Sequence, residues 1–296
     1  KGVGCFECHA AVATEPDAIP DHNGFVIGPL VTPNDCGKCH PKERDSFQKS
    51  RHAKAGRVLG TSSNFWGEVV EGYAASLTGC QSCHGSKIEV ASDTHKPLAI
   101  SYPNMGIGRL NPDGTEGNCG ACHQRHDFRM ASVRKAETCG RCHLGPDHPQ
   151  LEIWHESKHG QAFAESNHGV NLDKRPLLLG QDKLTVPTCV TCHLGGTTAT
   201  GTAMTHDPAE RLSWDNKFEV SRRTENWRQK KAAMQTVCRN CHGPKFPSKH
   251  YEQYEKAIAL YNNKFGGPAS ELMEKLKIAG KIDPTPFNET IEHLTH

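Results

Sequence analysis

Seven copies of one five-residue pattern dominate the chain: "CFECH" (5–9), "CGKCH" (36–40), "CQSCH" (80–84), "CGACH" (119–123), "CGRCH" (139–143), "CVTCH" (189–193) and "CRNCH" (238–242). They consume all fourteen cysteines: Cys5, Cys8, Cys36, Cys39, Cys80, Cys83, Cys119, Cys122, Cys139, Cys142, Cys189, Cys192, Cys238 and Cys241. A lone Cys-x-x-Cys is compatible with a redox dithiol or half a zinc site. A histidine directly after every pair is instead the signature of covalent c-type haem attachment. Two thiols three positions apart bond the vinyl groups of one porphyrin, and the adjacent histidine becomes the proximal iron ligand. Seven haem c groups are therefore expected, with His9, His40, His84, His123, His143, His193 and His242 as proximal ligands.

This attachment solves a packing problem. Apolar residues make up only 35% of the 296-residue chain and the mean hydropathy is −0.64, too little for an ordinary core of that length. Porphyrin faces supply the missing apolar surface. Formal net charge is +2, from 35 basic and 33 acidic side chains, with no long basic run, so nucleic acid is not an expected partner. Adding iron and propionates takes the holoprotein to roughly −5 when oxidised and roughly −12 when reduced, which suits a basic redox partner. No stretch approaches the ~18 apolar residues of a membrane span, and no signal peptide precedes Lys1, as expected of a processed or cut chain. Because c-type haem is assembled outside the cytoplasm, a periplasmic or extracellular location is expected.

The motifs recur at intervals of 31, 44, 39, 20, 50 and 49 residues, an array without a strict repeat. Loops such as "TPND" (32–35) and "LNPDGTEGN" (110–118) separate a few short helix candidates. The clearest is 149–165, where proline stands near the start and His155, His159 and Phe163 share one face. The expected fold is mainly α, a multihaem cytochrome c with little regular structure around its haem array. Residues 1–249 form the haem domain, and 250–296 a C-terminal helical segment built from "YEQYEKAIALYNNKF" and "SELMEKLKIAG" on either side of "GGP".

Twelve histidines lie outside the motifs. An electron-carrying haem needs a second axial ligand, and imidazole is a common one. His52 and His159 fall on helix candidates and are followed by small residues that let a porphyrin approach; His22, His126 and His206 sit soon after a motif. His250, His293 and His296 read as solvent-facing, while His155 and His168 are left open.

The runs "CGACHQRHDF" (119–128), "ETCGRCHLGPDHPQLEIWHESKHG" (137–160), "PTCVTCH" (187–193), "THD" (205–207), "SW" (213–214) and "VCRNCH" (237–242) resemble the hydroxylamine oxidoreductase family of octahaem cytochromes, with similarity over most of 1–265. The resemblance implies that the haem on Cys80 and Cys83 is catalytic, with an open distal face. It implies bis-histidine coordination elsewhere, with His22, His52, His126, His159 and His206 as distal ligands, and active-site roles for Asp147 and His148. An imidazole beside a carboxylate provides a group titrating near neutrality, which can deliver protons to a nitrogen oxide on iron. The competing reading is that Asp147 caps a helix beginning at Pro149 and His148 is exposed.

The expected function is thus an oxidoreductase reducing nitrite or a related nitrogen oxide, fed by bis-histidine haems. Oxidation of hydroxylamine or hydrazine at the same haem is the first alternative, and a non-catalytic conduit or filament the second. Family members carry eight motifs, of which the first has no counterpart here. Oxidising members also bind their catalytic haem to a tyrosine of a neighbouring subunit, a segment that Tyr73, Tyr102, Tyr251, Tyr254 and Tyr261 do not match. No tyrosine cross-link is therefore expected on the Cys80/Cys83 haem. A cytochrome or quinol-linked donor is the expected redox partner, with homo-oligomerisation or docking of a second cytochrome through residues 250–280.

Overall fold

The computed structural model describes residues 2–59, 79–145, 149–166, 170–175, 177, 186–197, 200–216 and 220–282. Asp147, His148, Tyr73, His168, His293 and His296, all weighed above, lie outside the described residues. The fold is mainly α, with two small antiparallel sheets among the described residues. The chain divides into two compact units: Lys1–Leu144 with Asn171–Arg175 and Thr205–Asp207, and Gly145–Val170 with Pro176–Met204 and Pro208–His296.

The first unit opens with α1 (Cys5–His9) and a hairpin of β1 (Ile19–His22) and β2 (Phe25–Ile27). The helices α2 (Pro33–Gly37) and α3 (Pro41–Lys49) follow, then α4 (Gln81–His84), α5 (Met130–Arg134) and α6 (Ala136–Cys139). "TPND", expected to be a loop, in fact starts α2. Thr32 accepts from Asn34 N at 3.2 Å while Asp35 accepts from Thr32 N at 2.8 Å, a capping box, and Pro33 occupies a first-turn position where no N–H is needed. Buried apolar side chains are few: Ala18, Leu30, Phe47, Ala53, Ile88, Ala136 and Leu172. Buried Ser50, Ser86, Asn104, Arg109, Asn111 and Asn118 lie among them.

In the second unit the single helix expected over 149–165 is two, α7 (Gln150–Glu156) and α8 (Lys158–Ser166). Ser157 is extended (φ −69°, ψ 157°), with its hydroxyl donating to Trp154 O at 2.6 Å and accepting from Gly160 N at 3.1 Å. That caps α8 and turns it back on α7 so closely that a Cβ on Gly160 would stand 2.0 Å from Trp154 O. Trp154 and Phe163 then meet edge to face at 5.5 Å.

The remaining elements are α9 (Cys189–His193), a short hairpin of β3 (Trp214–Asp215) and β4 (Arg222–Arg223), α10 (Trp227–Cys238), α11 (Lys245–Tyr261) and α12 (Gly267–Ile278). "GGP" does not separate two helices. α11 continues through one wide helical turn, Asn262–Gly266, into α12, whose proline again falls in the first turn. Arg223 lies over the rings of Trp214 (4.1 Å) and Trp227 (3.8 Å) and bonds Glu255 at 3.2 Å, tying hairpin, α10 and α11 together. Val237, Tyr251 and Ile258 form the buried seam between α10 and α11. Among the described residues no helix is long and apolar enough to cross a membrane.

Candidate functional site

Each motif is wound as a helical turn. α1, α4 and α9 carry three of them, while α2, α6 and α10 end inside three more, and Cys119–Ala121 form a tight turn. The histidine N–H returns to the first cysteine's carbonyl at 2.8 Å in His40, 2.9 Å in His123 and 3.0 Å in His143 and His242. Residues i, i+3 and i+4 of a helical turn share one face, so both thiols and the imidazole address the same plane. No three His, Cys, Asp or Glu side chains converge as a metal cage among the described residues.

Two proximal imidazoles are aimed by the backbone. His9 Nδ1 lies 2.8 Å from Gly28 O and His193 Nδ1 lies 3.1 Å from Pro208 O. Such a bond places the proton on Nδ1 and leaves Nε2 to bind metal.

Four motif histidines face a histidine from elsewhere in the chain. The ring centroids are 6.4 Å apart in His9–His126, 6.0 Å in His52–His143, 6.5 Å in His123–His206 and 6.0 Å in His159–His242. Two imidazoles bound to opposite faces of one metal through bonds of about 2 Å have centroids about 6 Å apart, since each centroid lies about 1 Å behind its nitrogen. The spacing therefore fits an iron between the rings. Burial pushes His123, His206, His159 and His193 below the ordinary imidazole value, which favours the neutral form that ligates metal.

Of the five expected distal ligands, the structure brings His52, His126, His159 and His206 opposite motif histidines. His52 does so from a turn after α3 rather than from a helix. His22 is exposed on β1, and no ring contact joins it to a motif histidine among the described residues. His155 packs on Trp154 (5.1 Å), and His250 is exposed on α11, as expected.

The thiols also lie near one another across motifs. Cys8 lies in the field of Cys36, and Cys36 lies against Cys119. Cys142 feels Cys83 and Cys122, and Cys83 Sγ is 3.8 Å from Arg141 O. Arg141 Nη1 in turn reaches Ala121 O at 3.5 Å. In the second unit Cys192 lies in the field of Cys238. Two buried arginines attend these segments. Arg109 donates to Val31 O and Asn111 Oδ1; Arg211 donates to Cys192 O (2.8 Å), Gly195 O (2.8 Å) and Ala203 O (2.5 Å). Sequence reasoning missed both, because nothing local distinguishes them from surface arginines.

Helical Cys-x-x-Cys-His turns and opposed imidazoles define a c-type cytochrome with an array of covalently held haems. The match to a family model described as "Seven times multi-haem cytochrome CxxCH", over residues 1–282, shows that the chain belongs to this multihaem cytochrome family. It is 32% identical over 203 residues to a probable nitrite reductase-hydroxylamine oxidoreductase fusion protein of Kuenenia stuttgartiensis, covering 65% of this chain but only 19% of that protein. Among solved structures it is similar to a hypothetical multiheme protein (TM-score 0.79, 25% identity, 95% of this chain and 72% of that one). It is also similar to a reducing HAO-like protein complex of Kuenenia stuttgartiensis (TM-score 0.62, 22% identity, 95% and 53%).

Proposed function

We propose that the protein reduces nitrite or a related nitrogen oxide at the haem on Cys80 and Cys83, supplied with electrons by bis-histidine haems. The observation that carries this reading is the set of four imidazole pairs together with the contact of Cys83 with Arg141, which joins the Cys80–His84 turn to the His52–His143 pair. The haems supply one-electron transfer and, at one open iron, a binding position for the nitrogen oxide. His84 of the same motif would hold that iron. By the sequence resemblance, Asp147 and His148 would hold and deliver the protons that the reduction consumes. The relative's name supports nitrogen-oxide chemistry.

Seven haems, no tyrosine link to the Cys80/Cys83 haem, and export from the cytoplasm belong to the same reading. Leu260, Phe265, Leu272 and Ile278, exposed along α11, the wide turn and α12, offer a surface for a second cytochrome or another copy of the chain. The test is a spectrum followed by paired assays on the haem-loaded protein. One high-spin haem in the array, and nitrite reduction faster than hydroxylamine or hydrazine oxidation, are expected. An array that is entirely low-spin and inactive with all three compounds would make the protein a conduit.

A further inference from the structure

We infer that Arg109 is a built-in positive charge that raises the reduction potentials of the haems on Cys36/Cys39 and Cys119/Cys122. Arg109 is 0% exposed, and a buried guanidinium stays protonated. Its partners are neutral: Nε donates to Asn111 Oδ1 at 2.7 Å and Nη2 to Val31 O at 2.6 Å, while Nη1 has no hydrogen-bond partner among the described residues. Asp113, the carboxylate in its field, is engaged by Thr32 Oγ1 at 2.8 Å and Asn34 Nδ2 at 3.1 Å.

The placement is specific to two attachment segments. Val31 directly precedes Thr32, the cap of the helix that carries Cys36. On the other side Arg109 O accepts from Gly117 N at 2.7 Å, and Asn111 Nδ2 donates to Gly117 O at 3.0 Å. The next residue, Asn118, caps the turn that carries Cys119. Cys36 and Cys119 lie against each other, and both lie in the field of this guanidinium. Tyr102 and Arg125 also lie in its field, and Arg125 adds to the positive charge.

Reduction makes a haem more negative by one charge, so a fixed cation nearby stabilises the reduced form, and burial spares it the screening that a surface arginine suffers. These two haems lie midway along the run of neighbouring thiols from Cys8 through Cys36, Cys119, Cys122 and Cys142 to Cys83. Electrons entering the first unit should therefore pool there before reaching the Cys80/Cys83 haem. Arg109 acts on the potentials through space and touches no substrate.

The test is spectroelectrochemical titration of the full haem-loaded chain as wild type, R109K, R109Q and N111D. R109Q removes the charge. N111D keeps an acceptor for Nε and sets a carboxylate against the guanidinium, but it loses the Nδ2 donations to Thr115 and Gly117 O, so its shift is read together with that of R109K, which keeps the charge. Two of the seven one-electron steps are expected to move to lower potential in R109Q and N111D, while R109K stays near wild type. Unchanged titration of N111D, or equal shifts in R109K and R109Q, would show that Arg109 is only a clamp and overturn the inference.

Discussion

Replacing His206 by glycine tests the iron-between-imidazoles geometry most directly. Half of the 6.5 Å separation of His123 and His206 is about 3.2 Å, and removing a ring radius of about 1.2 Å leaves about 2 Å, the length of a metal–imidazole bond. The backbone there does not depend on the side chain. His206 N donates to Ser46 Oγ at 3.0 Å, Ser46 Oγ and Thr205 Oγ1 are 3.2 Å apart, and Asp207 N donates to Thr205 Oγ1 at 3.1 Å. His206→Gly should therefore leave a ring-sized gap with His123 still in place. The perturbation then converts one haem of seven, about 14% of the total, from low-spin to high-spin, the change that loss of one axial ligand produces. Absorption and electron paramagnetic resonance spectra of the purified protein measure it. Added free imidazole should refill the gap and restore the low-spin spectrum. His155→Gly serves as the control, since His155 packs on Trp154 and faces no motif histidine among the described residues. If His206→Gly leaves the high-spin fraction unchanged, the opposed rings do not share an iron and the reasoning fails for the other three pairs as well.

His148→Ala should lower nitrite turnover by about 10²-fold while haem content and low-spin spectra persist; full activity would return His148 to an exposed position beside a helix start. Intact mass should show seven haem increments, and a peptide map of the Cys80–Cys83 haem should contain no tyrosyl peptide; a third covalent link there would argue for oxidative chemistry. Ser157→Ala removes the cap of α8 and should cost about 1 kcal/mol in denaturant unfolding of the holoprotein, a loss that a single continuous helix over 149–165 would not show. For Glu255, burial pushes the carboxyl up but is outweighed by hydrogen bonds from Lys231 and Arg223, which hold it below the ordinary range. Its stabilising contribution is full above the usual carboxylate value of about 4.3 and is lost as pH falls through the lower folded value, so E255Q should flatten that part of the acid-unfolding curve.

The covalent chemistry was legible from the chain alone because it is local: two thiols and an imidazole within five residues need only one helical turn to face the same plane. The shortage of apolar residues, and with it the expectation that porphyrins complete the core, follows from composition, and the mainly helical fold from the short helix candidates between motifs. Where local signals competed, capping decided. Ser157 broke a helix that periodicity joined, because its hydroxyl and Gly160 let α8 fold back on α7. Pro33 and Pro268, which read as breakers, sit where a first turn needs no N–H. Which imidazole lies opposite which motif was beyond local reasoning, since His9 and His126, or His52 and His143, meet only after distant segments have packed. Four of the five histidines singled out for that role met a motif histidine, whereas His22 stands exposed on a strand. Arg109 and Arg211 were invisible in sequence for the same reason. Burial among distant backbone carbonyls, which no short pattern encodes, is what separates them from the other arginines and gives their charge its reach.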